Sequence, residues 1–98
     1  MVDNDELVCI TWKFAAEISG CNLSTYSEFN TLLKKIDRYK KNTIFYIDSD
    51  LGTETKGEEY AKLLFDLGYT NLYLTTGFSK MASIPSWIKS IINKTPPF

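Results

Sequence analysis

The chain has 98 residues, 44% of them hydrophobic and 14% aromatic, with a formal net charge of −1 and no histidine. That length suits one small domain with a real core, and the near-neutral charge gives no sign of a nucleic-acid surface. Without histidine, the Ser-His and Cys-His nucleophile systems and most zinc sites are excluded. Any chemistry must rest on carboxylates, hydroxyls and lysine.

Leu7, Ile10, Phe14 and Ile18 recur at helical spacing, with Asp3 and Asp5 ahead of them and Gly20 as the stop. Asn22 to Tyr26 reads as a short strand. Ser27 is placed to cap a second helix whose buried face is Phe29, Leu32, Leu33 and Ile36. Thr43-Ile44-Phe45-Tyr46-Ile47 is β-branched and aromatic with no polar face, as expected of a strand buried on both sides, and Asp48 closes it. A polar loop, Ser49 to Lys56, leads to Gly57 and a third helix carrying Ala61, Leu64 and Phe65, with Gly68 beyond it. Leu72 to Thr76 is another buried strand closed by Gly77. Ser79 to Ser83 reads as one helical turn before Pro85, and Trp87 to Ile92 as a last strand, with Trp87 as a core or interface anchor.

Strands alternating with helices predict a doubly wound parallel α/β sheet over residues 1–98 as one domain. Both ends are abrupt. Met1-Val2 are too few for a full first strand, and no closing helix follows the last one, as in a segment cut from a longer protein. The exposed strand edge and bared face predict self-association or stabilisation by flanking sequence. No apolar run is long enough to span a membrane. Cys9 and Cys21 form neither a metal-type spacing nor a disulfide framework, which favours a reducing cytoplasm.

A carboxylate is costly inside an apolar strand, but at the C-terminal mouth of a parallel sheet it faces the crevice where such folds bind ligands. Alone, Asp48 would read as a turn-forming aspartate. It is not alone, because parallel strands bring their C-terminal ends to one edge. Asp3-Asn4-Asp5, Asp48, Thr76 and Lys94 converge there. Acids, a hydroxyl and a lysine without histidine suit phosphoryl chemistry. A carboxylate can accept the group, paired carboxylates can hold Mg²⁺, and a hydroxyl and an ammonium can bind the other oxygens.

The order of these pieces resembles the receiver (CheY-like) domain of bacterial two-component response regulators. The resemblance rests on Val2-Asp3-Asn4-Asp5-Glu6, Tyr46-Ile47-Asp48-Ser49-Asp50-Leu51, Gly57-Glu58-Glu59-Tyr60-Ala61, Leu74-Thr75-Thr76-Gly77-Phe78 and Asn93-Lys94-Thr95-Pro96-Pro97-Phe98. It implies a five-stranded flavodoxin-like sheet, here truncated at the first strand and lacking the last helix. Asp48 would be the phosphoacceptor, Thr76 the switch hydroxyl and Lys94 its lysine partner. Mg²⁺ would be held by Asp3, Asn4, Asp48 and the backbone carbonyl of Asp50. The implied partner is a histidine kinase or phosphotransfer protein, with an output domain or a second copy beyond it, and no nucleic acid or membrane. Such a domain is not an enzyme beyond its own phosphorylation and dephosphorylation.

Three departures stand out. Asn4 is neutral at the second acidic position, the loop from Asp48 to Gly57 is one residue longer than usual, and Lys94 precedes Thr95 rather than proline. The last strand offers Ile91 where the family often has an aromatic switch residue. Two other readings share the motif. A pseudo-receiver would keep the fold as an interaction surface without phosphorylation. A haloacid-dehalogenase-like phosphatase would use Asp48-Ser49-Asp50 as its nucleophile motif and Leu74-Thr75-Thr76 as its second. That phosphatase needs an acidic pair on a strand after the threonine, and none follows Thr76.

Overall fold

The computed structural model describes residues 1–77 and 84–98. The expected helical turn at Ser79 to Ser83 lies outside the described residues. The elements run α1 (Glu6–Ser19), α2 (Phe29–Lys34), a 3₁₀ turn (Ile36–Arg38), β1 (Phe45–Asp48), α3 (Gly57–Asp66), β2 (Leu72–Thr75) and β3 (Ser90–Ile92). The three strands are parallel in the order β1-β2-β3, with Phe45 opposite Leu72 and Leu74 opposite Ile91.

The expected first two strands shrink to single residues that extend this sheet. Val2 bridges Tyr26 on one side and Ile47 on the other, both in parallel sense. The Val2 N–H donates to Tyr46 O, Asp48 N–H donates to Val2 O, and Asp3 N–H donates to Tyr26 O. Met1 to Asp3 thus fill the slot at its site end, so the neighbouring backbone groups expected to be unpaired there are paired. These single-residue bridges place Val2 beside β1 and Tyr26 beside Val2, while among the described residues three segments form ladders, fewer than the five strands expected.

Period-two alternation sorts the strand residues onto two faces. Phe45, Ile47, Leu72 and Leu74 join Val2, Phe29, Leu32, Ala61, Leu64 and Tyr69 in one buried core under α2 and α3. Tyr46 and Tyr73 point to the other face, half-buried and stacked with ring centres 5.5 Å apart. There the fully buried Trp12 of α1 meets Tyr46 edge to face at 5.1 Å and Phe98 at 5.7 Å. The strand run is therefore not buried equally on both sides.

Several local expectations are revised. α1 ends at Gly20 as expected, in the left-handed region at φ 74°. However, it buries Trp12 and Ala16, while Leu7, Ile10, Phe14 and Ile18 face solvent. Ser27 does not cap α2. Glu28 holds that position in extended backbone without a side-chain cap bond. Phe65 and Ile44 are exposed. Trp87 precedes β3 rather than opening it. It packs against the core and donates from Nε1 to Glu58 O at 2.8 Å.

Candidate functional site

Local chemistry builds the site at the C-terminal end of the sheet. Asp5 is the N-cap of α1, accepting from Leu7 N–H at 3.0 Å in an exposed position. Its own N–H donates to Asp3 Oδ1 at 2.8 Å. The two acids before α1 thus separate, with Asp5 spent on the helix and Asp3 turned inward. Asp3 is 0% exposed and Asp48 3%, so both are removed from water. Asp48 Oδ1 accepts from Asp50 N–H at 3.2 Å, and the Asp50 carboxylate in turn accepts from Gly52 N–H at 3.0 Å. These are the short-range turn bonds that aspartate favours.

Lys94 joins the two buried acids. Its Nζ donates to Asp48 Oδ2 at 3.1 Å and lies 3.1 Å from Asp3 Oδ2. The second contact is an ion pair without hydrogen-bond alignment, so Asp3 Oδ2 is buried with no hydrogen-bond donor. Burial pushes the Asp48 carboxyl up from its ordinary value; the Asp50 N–H draws it back, the charge on Asp3 adds to the rise and Lys94 opposes it. For Lys94, burial alone would depress the ammonium, but the two carboxylates outweigh it and the net direction is upward.

Trp12 fixes where Lys94 stands. Its indole N–H donates to Lys94 O at 2.8 Å, across 82 positions of chain. α1 therefore holds the backbone after β3 while Asp3, just before α1, receives the Lys94 side chain. Sequence reading did not single out Trp12. The only cue was its place between the stripe residues of α1, on the opposite side of the helix.

Thr76 lies one residue beyond β2, nearly buried, its N–H donating to Ile92 O at 3.0 Å. Thr75, not Thr76, is in register with Asp48. Residues opposite each other in a ladder face the same side. The Thr75 hydroxyl is fully buried with no hydrogen-bond partner, a second uncommitted polar group beside Asp48. Sequence reading gave the switch role to Thr76 and assigned none to Thr75. Asn4 is exposed, its side-chain amide lying over Gly52, and it helps line a cleft of ≈340 Å³ with Ser27, Phe29, Leu51, Thr53 and Tyr60.

Gly57 closes the site from below. Its N–H donates to Ser49 O at 3.1 Å, and a Cβ there would stand 2.1 Å from Asp48 O and 2.8 Å from Ser49 Cα. Only glycine lets α3 start so close to the Asp48 backbone.

No cluster of three or more His, Cys, Asp or Glu side chains able to hold a metal occurs among the described residues. The buried acids number two, Asp3 and Asp48, and Asp3 Oδ2 has no hydrogen bond. That donor set fits magnesium, which takes one or two carboxylates and keeps several waters. No helix of the described residues is long and apolar enough to cross a membrane.

No family model matches the chain, and no curated protein matches it. Solved structures do. The N-terminal domain of a response regulator/sensory box/GGDEF 3-domain protein from Carboxydothermus hydrogenoformans superposes with a TM-score of 0.77 at 13% identity, over 96% of this chain and 78% of that one. A CheY-like response regulator receiver domain protein from Methanospirillum hungatei JF-1 gives 0.69 at 14% identity, over 99% of this chain and 79% of the other. The chain has the parallel α/β fold of response regulator receiver domains.

Proposed function

We propose that this chain is a phosphoacceptor receiver domain, phosphorylated on Asp48 in a Mg²⁺-dependent manner to switch its partner interactions. The observation that carries the reading is the Lys94 ammonium 3.1 Å from both Asp48 and the buried Asp3, at the C-terminal edge of a parallel sheet. A structural aspartate has no need of a second buried carboxylate and a shared lysine, since desolvating two carboxylates costs several kcal/mol per ion before the half-buried lysine offsets it.

The chemistry requires Asp48 ionised. One of its carboxylate oxygens attacks phosphorus and forms the new P–O bond. The bond from phosphorus to the donor's leaving group breaks and that group takes the electron pair. The donor is a phosphohistidine of a kinase or phosphotransfer protein, or a small acyl phosphate. Lys94 pairs with the charge on the transferred group. Thr76 and Thr75 are the hydroxyls at the adjoining strand end, Thr76 by the family resemblance and Thr75 by its register with Asp48. Asp3 and Asp48, with the Asp50 carbonyl and the neutral Asn4, would hold Mg²⁺, which neutralises phosphate oxygens when bound. The setting implied is cytoplasmic, and the chain's activity is that of a substrate and switch rather than an enzyme.

Incubation with acetyl phosphate and Mg²⁺ should add one phosphoryl group by intact mass, and Asp48→Asn should abolish it. Modification that persists in Asp48→Asn refutes the assignment. Asn4 supports a second reading, a pseudo-receiver, because its neutral side chain leaves the metal set one charge short. No mass increase in the wild type with any donor would establish that reading instead.

A further inference from the structure

Helix α1 is apolar on two sides. Trp12 and Ala16 are its buried residues. On nearly the opposite side stand Leu7, Ile10, Phe14 and Ile18, exposed at 71%, 57%, 64% and 73%. Thr11 flanks this stripe with its hydroxyl turned back to Leu7 O at 2.8 Å, and the stripe runs about 16 Å along the helix at 1.5 Å per residue. It exposes roughly 500 Å² of apolar surface, at the upper end of what the largest patch on a monomer shows.

We infer that this stripe is an interface with a second copy of the chain, formed by antiparallel packing of α1 against α1 about a two-fold axis. The spacing of the stripe carries the choice of occupant. A two-fold contact must be self-complementary. Turned end for end, Leu7 meets Ile18 of the other copy and Ile10 meets Phe14. The midpoints of these pairs fall at Trp12 and between Trp12 and Lys13, so one axis serves both. A shallow groove of ≈220 Å³ between Ile10 and Phe14, walled by Lys13 and Glu17, gives the other copy's side chain a seat. Antiparallel helices also oppose their dipoles. Two such stripes can bury at most about 1,000 Å² together, the lower limit for a specific interface, so the dimer is weak and concentration-dependent. The inference stands whether or not Asp48 accepts a phosphoryl group.

Sedimentation equilibrium should show a monomer–dimer equilibrium below about 1 mM, the range of a weak interface. Phe14→Glu should be monomeric over the same range, with a melting curve unchanged at dilutions where the wild type is also monomeric, because that side chain is outside the core. Thr11→Cys, made with Cys9→Ser and Cys21→Ser, places one thiol beside the axis in each copy and should cross-link on mild oxidation. Phe14→Glu should remove that cross-link. A wild type that stays monomeric to about 1 mM would assign the stripe to an unlike partner and overturn the inference. So would a dimer that survives Phe14→Glu, or one that Thr11→Cys fails to cross-link.

Discussion

Replacing Gly57 with alanine tests whether the start of α3 sets the position of Asp48. The added methyl would sit 2.1 Å from Asp48 O, 2.8 Å from Ser49 Cα and 2.9 Å from Asp48 C. All three are backbone atoms, so no side chain can swing away. Relief needs α3 or the end of β1 to move by more than 1 Å, where ordinary contact begins near 3.4 Å. Such overpacking costs about 1–3 kcal/mol. Alanine's better helix propensity returns at most about 1 kcal/mol, and less at a first-turn position. The net expectation is a loss of about 1–2 kcal/mol, or roughly 5–15 °C of melting temperature in a domain this size. Urea denaturation with the slope held constant measures it. Gly77→Ala is the control, because among the described residues nothing lies within 4 Å of a Cβ there and its φ is not positive. Gly57→Ala no less stable than Gly77→Ala would refute the reasoning.

Lys94→Met should push the Asp48 carboxyl further above its ordinary 3.8, because it removes a positive neighbour while leaving Asp3 in place; a ¹³C carboxyl titration that does not move would contradict the ion-pair geometry. In the wild type, the Asp48 proton is held more tightly folded than unfolded. This group therefore costs stability at neutral pH, and that cost is relieved as pH falls through its raised value toward 3.8. Thr75→Val should stabilise the fold by about 1 kcal/mol, since it deletes a buried hydroxyl with no partner; a loss in urea denaturation would mean that the hydroxyl is satisfied after all. Asn4→Asp should tighten Mg²⁺ binding by on the order of 1 kcal/mol by adding a charge to a partly solvated site. Calorimetry showing equal or weaker binding would mean another group already fills that role.

The sequence by itself determined the alternation of helices and parallel strands, the stops at Gly20 and Gly68, and the gathering of Asp3, Asp48, Thr76 and Lys94 at one edge. These follow from short-range rules: period, turn residues, and the fact that parallel strands end on the same side. Tertiary structure decided what those rules leave degenerate. Leu7, Ile10, Phe14 and Ile18 repeat as regularly as a core stripe, but α1 carries a second apolar side, and packing against Tyr46 and Phe98 chose Trp12. Asp3 and Asp5 are two acids before one helix. Their separation into buried acid and exposed cap depends on the bridge that Val2 makes between Tyr26 and Ile47. Thr75 and Thr76 are indistinguishable as neighbours, and only strand register sets Thr75 opposite Asp48. The reach of Lys94 across the site depends on an indole hydrogen bond spanning 82 positions, a contact that no local pattern encodes.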